Sequence, residues 1–557
     1  MLVIGRPLTA LLLFFPFFAA ATGMRVPDVG TLLQQIPSQQ PKAAPVSNLP
    51  GLMIEGADGS SATLPTSIPI FIRNIRITRN TVFDNATLMA LVKHAEGKSL
   101  TLPELGELAD LITSYYQSKG YPITRAMIPA QTIAGGLVRI EVLEAKIGEV
   151  KLENSSRVRD ALLQSTLTPL KNRGHVEQTS IDHVLLLLSD VPGITVKATL
   201  KPGQGTGTSD LVVATPPLPA LSGDFVTDNY GNRFTGQVRA TGMLTYNNLL
   251  HQGDTVNFSG LNSGSGLTYW RLAYEATVNG LGQRVGVSTS TLEYFLGGPV
   301  SSANAYGGAQ VQSFWTRQPL VRSVKRNVYG QIQYDQLQTG DPSSSGNQAV
   351  RSLQNWTASL SGDAREAFFA NGVSSWNASL TNGHVAFDDP SDELNNPAKT
   401  QGRFSKLNLN LAHLQGMGAK DSLYLSYVGQ WANTNLDSSQ KLSVGGANSV
   451  RAYRMGVISG DVGRVFSAEW RHELGPALKG QWRALAFFDT AQVTVNKNPW
   501  VTGTNSATLS GAGVGLSWAG PGKWSGRATL AYPLGSIPAL VNTTASPIGW
   551  VEIRTGF

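Results

Sequence analysis

From about residue 217 to residue 557 the chain alternates apolar and polar side chains in segment after segment, and this pattern limits the folds open to it. Trp270, Leu272, Tyr274 and Ala276 alternate with Arg271 and Glu275. Val328, Gly330, Ile332 and Tyr334 alternate with Tyr329, Gln331, Gln333 and Asp335, and Leu423, Leu425, Tyr427 and Trp431 alternate with Ser422, Ser426 and Gln430. A period of two means a strand with one apolar and one wet face. In a soluble sandwich the apolar face packs on a second sheet. Here the polar face keeps carrying Gln, Asn, Arg and Glu across many segments, which suits a water-filled lumen inside a barrel whose apolar outside meets lipid. Roughly 340 residues, at about 21 per strand and connection, hold some sixteen antiparallel strands of about 9 to 11 residues. The 59 glycines, 11 tryptophans and 15 tyrosines, with 15% charged residues, suit many tight turns and aromatics at two interfaces. The segment Gly549 to Phe557 alternates again, Val551, Ile553 and Phe557 against Glu552 and Arg554, so Phe557 is expected to close the barrel.

The N-terminus is expected to direct export. Arg6, the apolar run Leu8 to Phe18 broken by Pro16, and Ala19-Ala20-Ala21 make residues 1–21 a signal peptide. No other stretch reaches the roughly 18 apolar residues of a spanning helix. Residues 22–40 read as a short helix with Leu32, Leu33 and Ile36 on one side, ended by Pro37. Residues 41–66, rich in Pro, Ala and Ser, read as a flexible linker. A lone amphipathic helix on a tether is more often a tail or a weak docking segment. A plug for the pore is the sharper reading.

Two α+β modules are expected between linker and barrel, at residues 67–145 and 146–216. In the first, Thr101 and Glu104 form a capping box with Pro103 in the first turn. Leu105, Leu108, Ile112 and Tyr115 then share a face, and Gly120 stops the helix. Val138, Ile140 and Val142 alternate with Arg139 and Glu141 as a strand. The second module repeats the order, with strands at Val150 and Leu152, Ile194 to Leu200 and Leu211 to Val213, and helices near Arg159 to Gln164 and Thr179 to Leu188. Exposed strand edges in such modules suit the capture of extended chains; the alternative is a pair of packing spacers.

Several chemistries find no support. The chain has no cysteine, so no disulfide, thiolate site or cysteine nucleophile can be built. Lys and Arg total 44 against 37 Asp and Glu, a net charge of +7, too modest for a dedicated nucleic-acid surface. Gly511, Gly513 and Gly515 alternate as strand glycines and precede no Lys-Ser or Lys-Thr pair, so they make no nucleotide loop. The 7 histidines are scattered and no hydrolase or zinc-protease motif occurs. An enzyme, a cofactor and a metal site are therefore not expected.

One loop carries the most specific signal. Gly445-Gly446-Ala447-Asn448-Ser449-Val450-Arg451-Ala452-Tyr453, continuing to Gly460-Asp461, resembles the inward-folded sixth-loop motif of the Omp85 superfamily, and Phe487-Phe488-Asp489 resembles the strand motif that partners it. The guanidinium of Arg451, inside a wet barrel, needs an anionic match for its fork of donors, and Asp489, with Phe487 beside it, is the expected partner. The usual motif has glycine where Ala452 stands; were a positive φ needed there, alanine would be strained by about 1 kcal/mol. In the first module, Ile75 to Asn80, Tyr115-Tyr116-Gln117-Ser118-Lys119-Gly120-Tyr121-Pro122 and Ile128-Pro129-Ala130-Gln131 look like the first POTRA domain of two-partner secretion transporters, the haemolysin secretion/activation family. That resemblance, which covers nearly all of the mature chain, implies a monomeric sixteen-stranded transmembrane barrel with an inward loop at about 443–462, two periplasmic POTRA domains and an N-terminal plug helix. It implies residence in a Gram-negative-type outer membrane, among its lipid. It also implies a partner exoprotein with an N-terminal secretion domain, of the adhesin, haemolysin or toxin class, and dealings with periplasmic chaperones and the outer-membrane assembly machinery. The rival functions are an insertase of the same superfamily, which would carry a different number of modules and no plug, and a diffusion porin, which would have no use for the modules or the loop.

Overall fold

The computed structural model describes residues 26–36, 52–54, 69–144, 146–171, 177–205, 207–342, 348–367, 369–541 and 545–557. The expected signal peptide and most of the expected linker lie outside these residues.

Sixteen antiparallel strands, from Leu221–Asp228 to Ile548–Gly556, form a closed barrel in which each strand pairs with its neighbour in sequence, apart from the step across the inward hairpin. The alternation reads directly onto its two faces. Phe258, Trp270, Leu272, Ile332, Trp356 and Leu516 are exposed on the outside, where lipid would cover them. On the wet face Gln331 donates to Gln333 and Gln333 donates to Asp335, while Arg271 donates to Ser288. Closure joins the first and last strands over the short register Asp224↔Gly556 to Asp228↔Glu552. Phe557 extends it, its N–H donating to the Gly223 carbonyl at 3.0 Å. Between the strands Asp421–Ala432 and Val462–Ala477 the chain turns inward as a hairpin, with Leu442–Val444 pairing Ile458–Gly460.

The first module packs the helices Asn85–Val92 and Leu102–Ser118 on a sheet in which Leu137–Leu143 pairs parallel with Asn74–Thr78 and antiparallel with Arg125–Met127. The capping box is present, and the Thr101 N–H donates to Glu104 at 2.6 Å. Tyr116 rather than Tyr115 is the fully buried aromatic of the helix. In the second module the helices Asp160–Lys171 and Gln178–Ser189 cover a sheet of Lys146–Asn154, Thr208–Thr215 and Lys197–Pro202. Its first helix runs past Gln164, because Leu163, Leu167 and Leu170 continue an apolar face onto the sheet.

Two expectations need correcting. The helix expected over 22–40 spans only Val29–Gln35 among the described residues. Asp28 caps it by accepting from the Thr31 N–H at 2.7 Å, and Ile36 is already extended at ψ 131°, as a residue before proline prefers. Within the stretch expected to be a flexible linker, Leu52–Ile54 forms a strand parallel to Lys197–Pro202, which would otherwise leave its outer backbone groups unpaired.

Candidate functional site

Among the described residues two elements are inserted in the lumen, and they touch each other. The hairpin carries Arg451 to the barrel wall, where it is 5% exposed. Its Nε and Nη2 donate to the two carboxylate oxygens of Asp489, each at 2.8 Å, and its backbone N–H donates to the same carboxylate at 3.1 Å. The guanidinium lies 3.4 Å from the Phe487 ring centroid, a stacking arrangement that suits arginine and not lysine. Strand register explains the constellation. Asp489 stands opposite Ser467, and Phe487 stands opposite Glu469, so all four residues point inward on adjacent strands.

Glu469 is a residue of this cluster that the sequence did not single out. It is fully paired, accepting from Arg451, Arg471 and Arg527. Two carboxylates thus meet three guanidiniums, and the excess positive charge sits toward the more exposed Arg527. The one signal in the sequence was its inward parity with Ser467 and Arg471, which many other lumen residues share. A further link runs from the Trp550 Nε1, which donates to the Arg451 carbonyl at 2.7 Å and ties the loop tip to the last strand.

Ala452 is not strained. Its φ is not positive, the left-handed positions of the loop being Gly445, Gly446 and Gly456. Its methyl packs instead into the space over Gly511, where a Cβ on residue 511 would lie 2.3 Å from that of Ala452. Val450 and Tyr453 are fully buried in the same cluster as Phe487 and Val493.

The short helix Val29–Gln35 lies inside the barrel against this hairpin. Leu32 and Val29 are fully buried among Phe234, Leu292, Tyr294, Leu353 and Leu436, while Leu33 and Ile36 pack at the edge of that cluster. Burial of a side chain the size of Leu32 contributes about 1.5–3 kcal/mol. The Val29 N–H donates to Asp341 at 2.7 Å, and Asp341 also accepts from Tyr294 and from Arg351, which reaches on to Asp437. At the other end Arg239 donates to the Gln35 carbonyl at 3.0 Å while held by Asp228. Gln34 accepts from the Ser443 N–H at 2.8 Å and donates to the Lys441 carbonyl, both on the hairpin stem. Backbones approach so closely at Gly30 that a Cβ there would lie 2.2 Å from the Ser438 carbonyl carbon and the Ser439 nitrogen.

A family model described as haemolysin secretion/activation protein ShlB/FhaC/HecB matches residues 207–518. The chain belongs to this family. A second model, the ShlB-type POTRA domain, matches residues 70–145. The chain is 25% identical over 542 residues to the heme/hemopexin transporter protein HuxB of Haemophilus influenzae, covering 94% of each. It is 24% identical over 498 residues to the outer membrane transporter CdiB of Escherichia coli, covering 84% of this chain and 80% of the relative. Among solved structures, CdiB from Escherichia coli superposes with a TM-score of 0.69 at 21% identity, over 96% of this chain and 100% of the other. BamA from Haemophilus ducreyi, lacking its first three POTRA domains, shares the fold at a TM-score of 0.55 and 14% identity, over 88% of this chain and 100% of the other. The protein is an outer-membrane two-partner secretion transporter that exports an exoprotein, with its POTRA domains in the periplasm.

The POTRA motif residues of the transporter hold the first domain together. The Tyr116 hydroxyl donates to Glu144 at 2.7 Å, and Phe83 meets the rings of Tyr116 and Tyr121 edge-on at 4.8 and 5.8 Å. Gly120 takes φ +92° at the helix end. Gln131 exchanges two hydrogen bonds, each 2.8 Å, with the backbone of Arg139, extending the sheet by a side chain, and Pro129 lies half-buried nearby in sequence. Burial pushes the Glu144 carboxyl up, but hydrogen bonds from Thr81, Tyr116 and Val82 outweigh it and hold the group below the usual carboxylate range. Burial and the neighbouring Glu144 push the Tyr116 hydroxyl well above the usual tyrosine range. The second domain is fastened to the barrel through Asp190, which accepts from Arg322 Nε and Nη2 at 2.7 and 2.8 Å.

Proposed function

We propose that the transporter captures its exoprotein unfolded, on strand edges of the POTRA domains, and that the helix Val29–Gln35 with the Arg451 hairpin forms the gate of the lumen through which that chain is threaded. The carrying observation is the seating of the helix. It rests on one apolar cluster and a handful of hydrogen bonds to the hairpin stem and the wall, a contact strong enough to hold and weak enough to be displaced. Backbone pairing on a strand edge tolerates a sliding sequence, which suits an unfolded cargo. Folding of the emerging chain outside gives the step its direction without ATP.

The cargo in this reading is an adhesin, haemolysin or toxin recognised by its N-terminal secretion domain, and the transporter works as a monomer. The heme/hemopexin connection in the name of HuxB supports a haem-scavenging cargo as one further member of that class. Deleting residues 26–36 should raise single-channel conductance in a planar bilayer. Unchanged conductance would remove the helix from the gate.

A further inference from the structure

Leu52–Ile54 sits on the second POTRA domain in a defined register, Leu52 opposite Ala198, Met53 opposite Thr199 and Ile54 opposite Leu200. Without it Lys197–Pro202 would be the edge of that sheet, since the remaining order is Lys197–Pro202, Thr208–Thr215, Lys146–Asn154. An edge of this kind offers a row of backbone donors and acceptors to any extended chain. Here the chain seated on it is the protein's own.

The polarity is also fixed. Thr208–Thr215 runs toward the barrel, because the chain enters the first barrel strand at Leu221 shortly after it. Lys197–Pro202 is antiparallel to it, and the Thr195 N–H donates to the Pro216 carbonyl at 2.9 Å, so the Lys197 end lies on the barrel side. The parallel segment therefore has Leu52 nearest the barrel and Ile54 pointing away. That is the direction required of a chain leaving the plug helix.

We propose that Lys197–Pro202 is the docking strand for the exported chain and that Leu52–Ile54 is its resident competitor, so that cargo binds by displacing a piece of the transporter itself. The proposal rests on the exporter reading above and names where and against what the cargo binds. A cargo segment taking the same polarity brings its N-terminal side to the barrel mouth. The competitor is tethered, with an effective concentration on the order of millimolar, so only a segment that pairs better, or arrives at comparable local concentration, displaces it. Among the described residues, displacement also moves the first sheet-held residue beyond the plug helix from Leu52 to Ile70, which lengthens the tether on the gate at the moment cargo arrives.

The absence of cysteine makes the test clean. Met53 is 68% exposed and in register with Thr199, so Met53→Cys with Thr199→Cys places one disulfide across the pair. Full-length transporter in outer membranes is combined with an epitope-tagged exoprotein encoded beside its gene as the probe. Oxidation should form the cross-link, lower both exoprotein pull-down and export at least tenfold, and reductant should restore both. The same double variant held in reductant is the reference against which both losses are read. Failure of the cross-link to form, or parental export by the cross-linked protein, overturns the proposal. Retained pull-down with lost export also overturns it, since the disulfide would then act on the gate and not on docking. Parental transporter that exports nothing overturns the exporter reading itself, an outcome visible in the parental arm alone.

Discussion

Replacing Gly30 by valine should open the channel. The helix backbone at Gly30 approaches the Ser438–Ser439 peptide so closely that even the first added carbon would fall 2.2 Å from two backbone atoms, against an ordinary contact of about 3.5–4.0 Å. Relief requires a movement of more than an ångström. The peptide cannot supply it easily, because Asp437 is held by Arg351, the Gln440 N–H donates to the Asp437 carbonyl and Gln34 grips the stem at Lys441. Overpacking of this kind costs about 1–3 kcal/mol or more. Against it stands the better helix propensity of valine over glycine, about 0.3 kcal/mol. The net of about 2 kcal/mol against the docked helix lowers the closed-to-open ratio about 30-fold. Single-channel recording in planar bilayers reads this ratio as open probability. Gly30→Ala, with one carbon and the full propensity gain of about 1 kcal/mol, should fall between parent and valine. An open probability unchanged in Gly30→Val would refute the placement of the helix against Ser438 and with it the magnitude argument.

Other outcomes follow from the same geometry. Arg451→Ala leaves Asp489 and Glu469 short of a buried cation, a loss of about 3–5 kcal/mol for an interior pair; secretion should collapse while heat-modifiable, folded barrel persists on gels, and full export would exclude the clasp. Arg451→Lys should rescue little, since a point charge cannot fork onto Asp489 or stack on Phe487. Glu144 titrates lower in the folded first domain than in the unfolded chain, so its contribution is present above about pH 4.3 and is lost as pH falls through the folded value; hydrogen-exchange protection over residues 70–143, corrected for the intrinsic pH dependence of amide exchange, should fall on acidification through that range, and Glu144→Gln should flatten that slope by removing the contribution at every pH. Asp190→Asn weakens the link to Arg322, and spin labels on the second POTRA domain and the barrel should then give broader distance distributions than in the parent.

The barrel was the most legible part of the chain, because a two-residue period is a direct consequence of strand geometry and repeats over many segments. Arg451 and Asp489 were legible for a different reason. A fork of donors in a lumen must find a carboxylate, and the flanking glycines and aromatics mark which. Glu469 was hidden because its meaning arises from register, which places it beside Phe487 and within reach of Arg527 three strands on. Ala452 read as a departure with a cost, and the missing information was again tertiary: the methyl occupies the room left by Gly511. The helix signal between residues 22 and 40 overran its true start, since Asp28 as N-cap is a weaker mark in sequence than in space. The strand Leu52–Ile54 left almost no trace, because three residues cannot show a period and its reason to exist lies in the unsatisfied edge of another domain.

The bond from Trp550 to the Arg451 carbonyl gives the transporter a sense of its own completion. Trp550 belongs to Ile548–Gly556, the strand that seals the wall against Leu221–Asp228. The loop tip is held at two places, at Asp489 on Gly480–Thr494 and at Trp550 on the sealing strand. A fully latched loop is thus chemically contingent on a sealed wall, and a barrel abandoned one strand short would carry a loop with its tip untied.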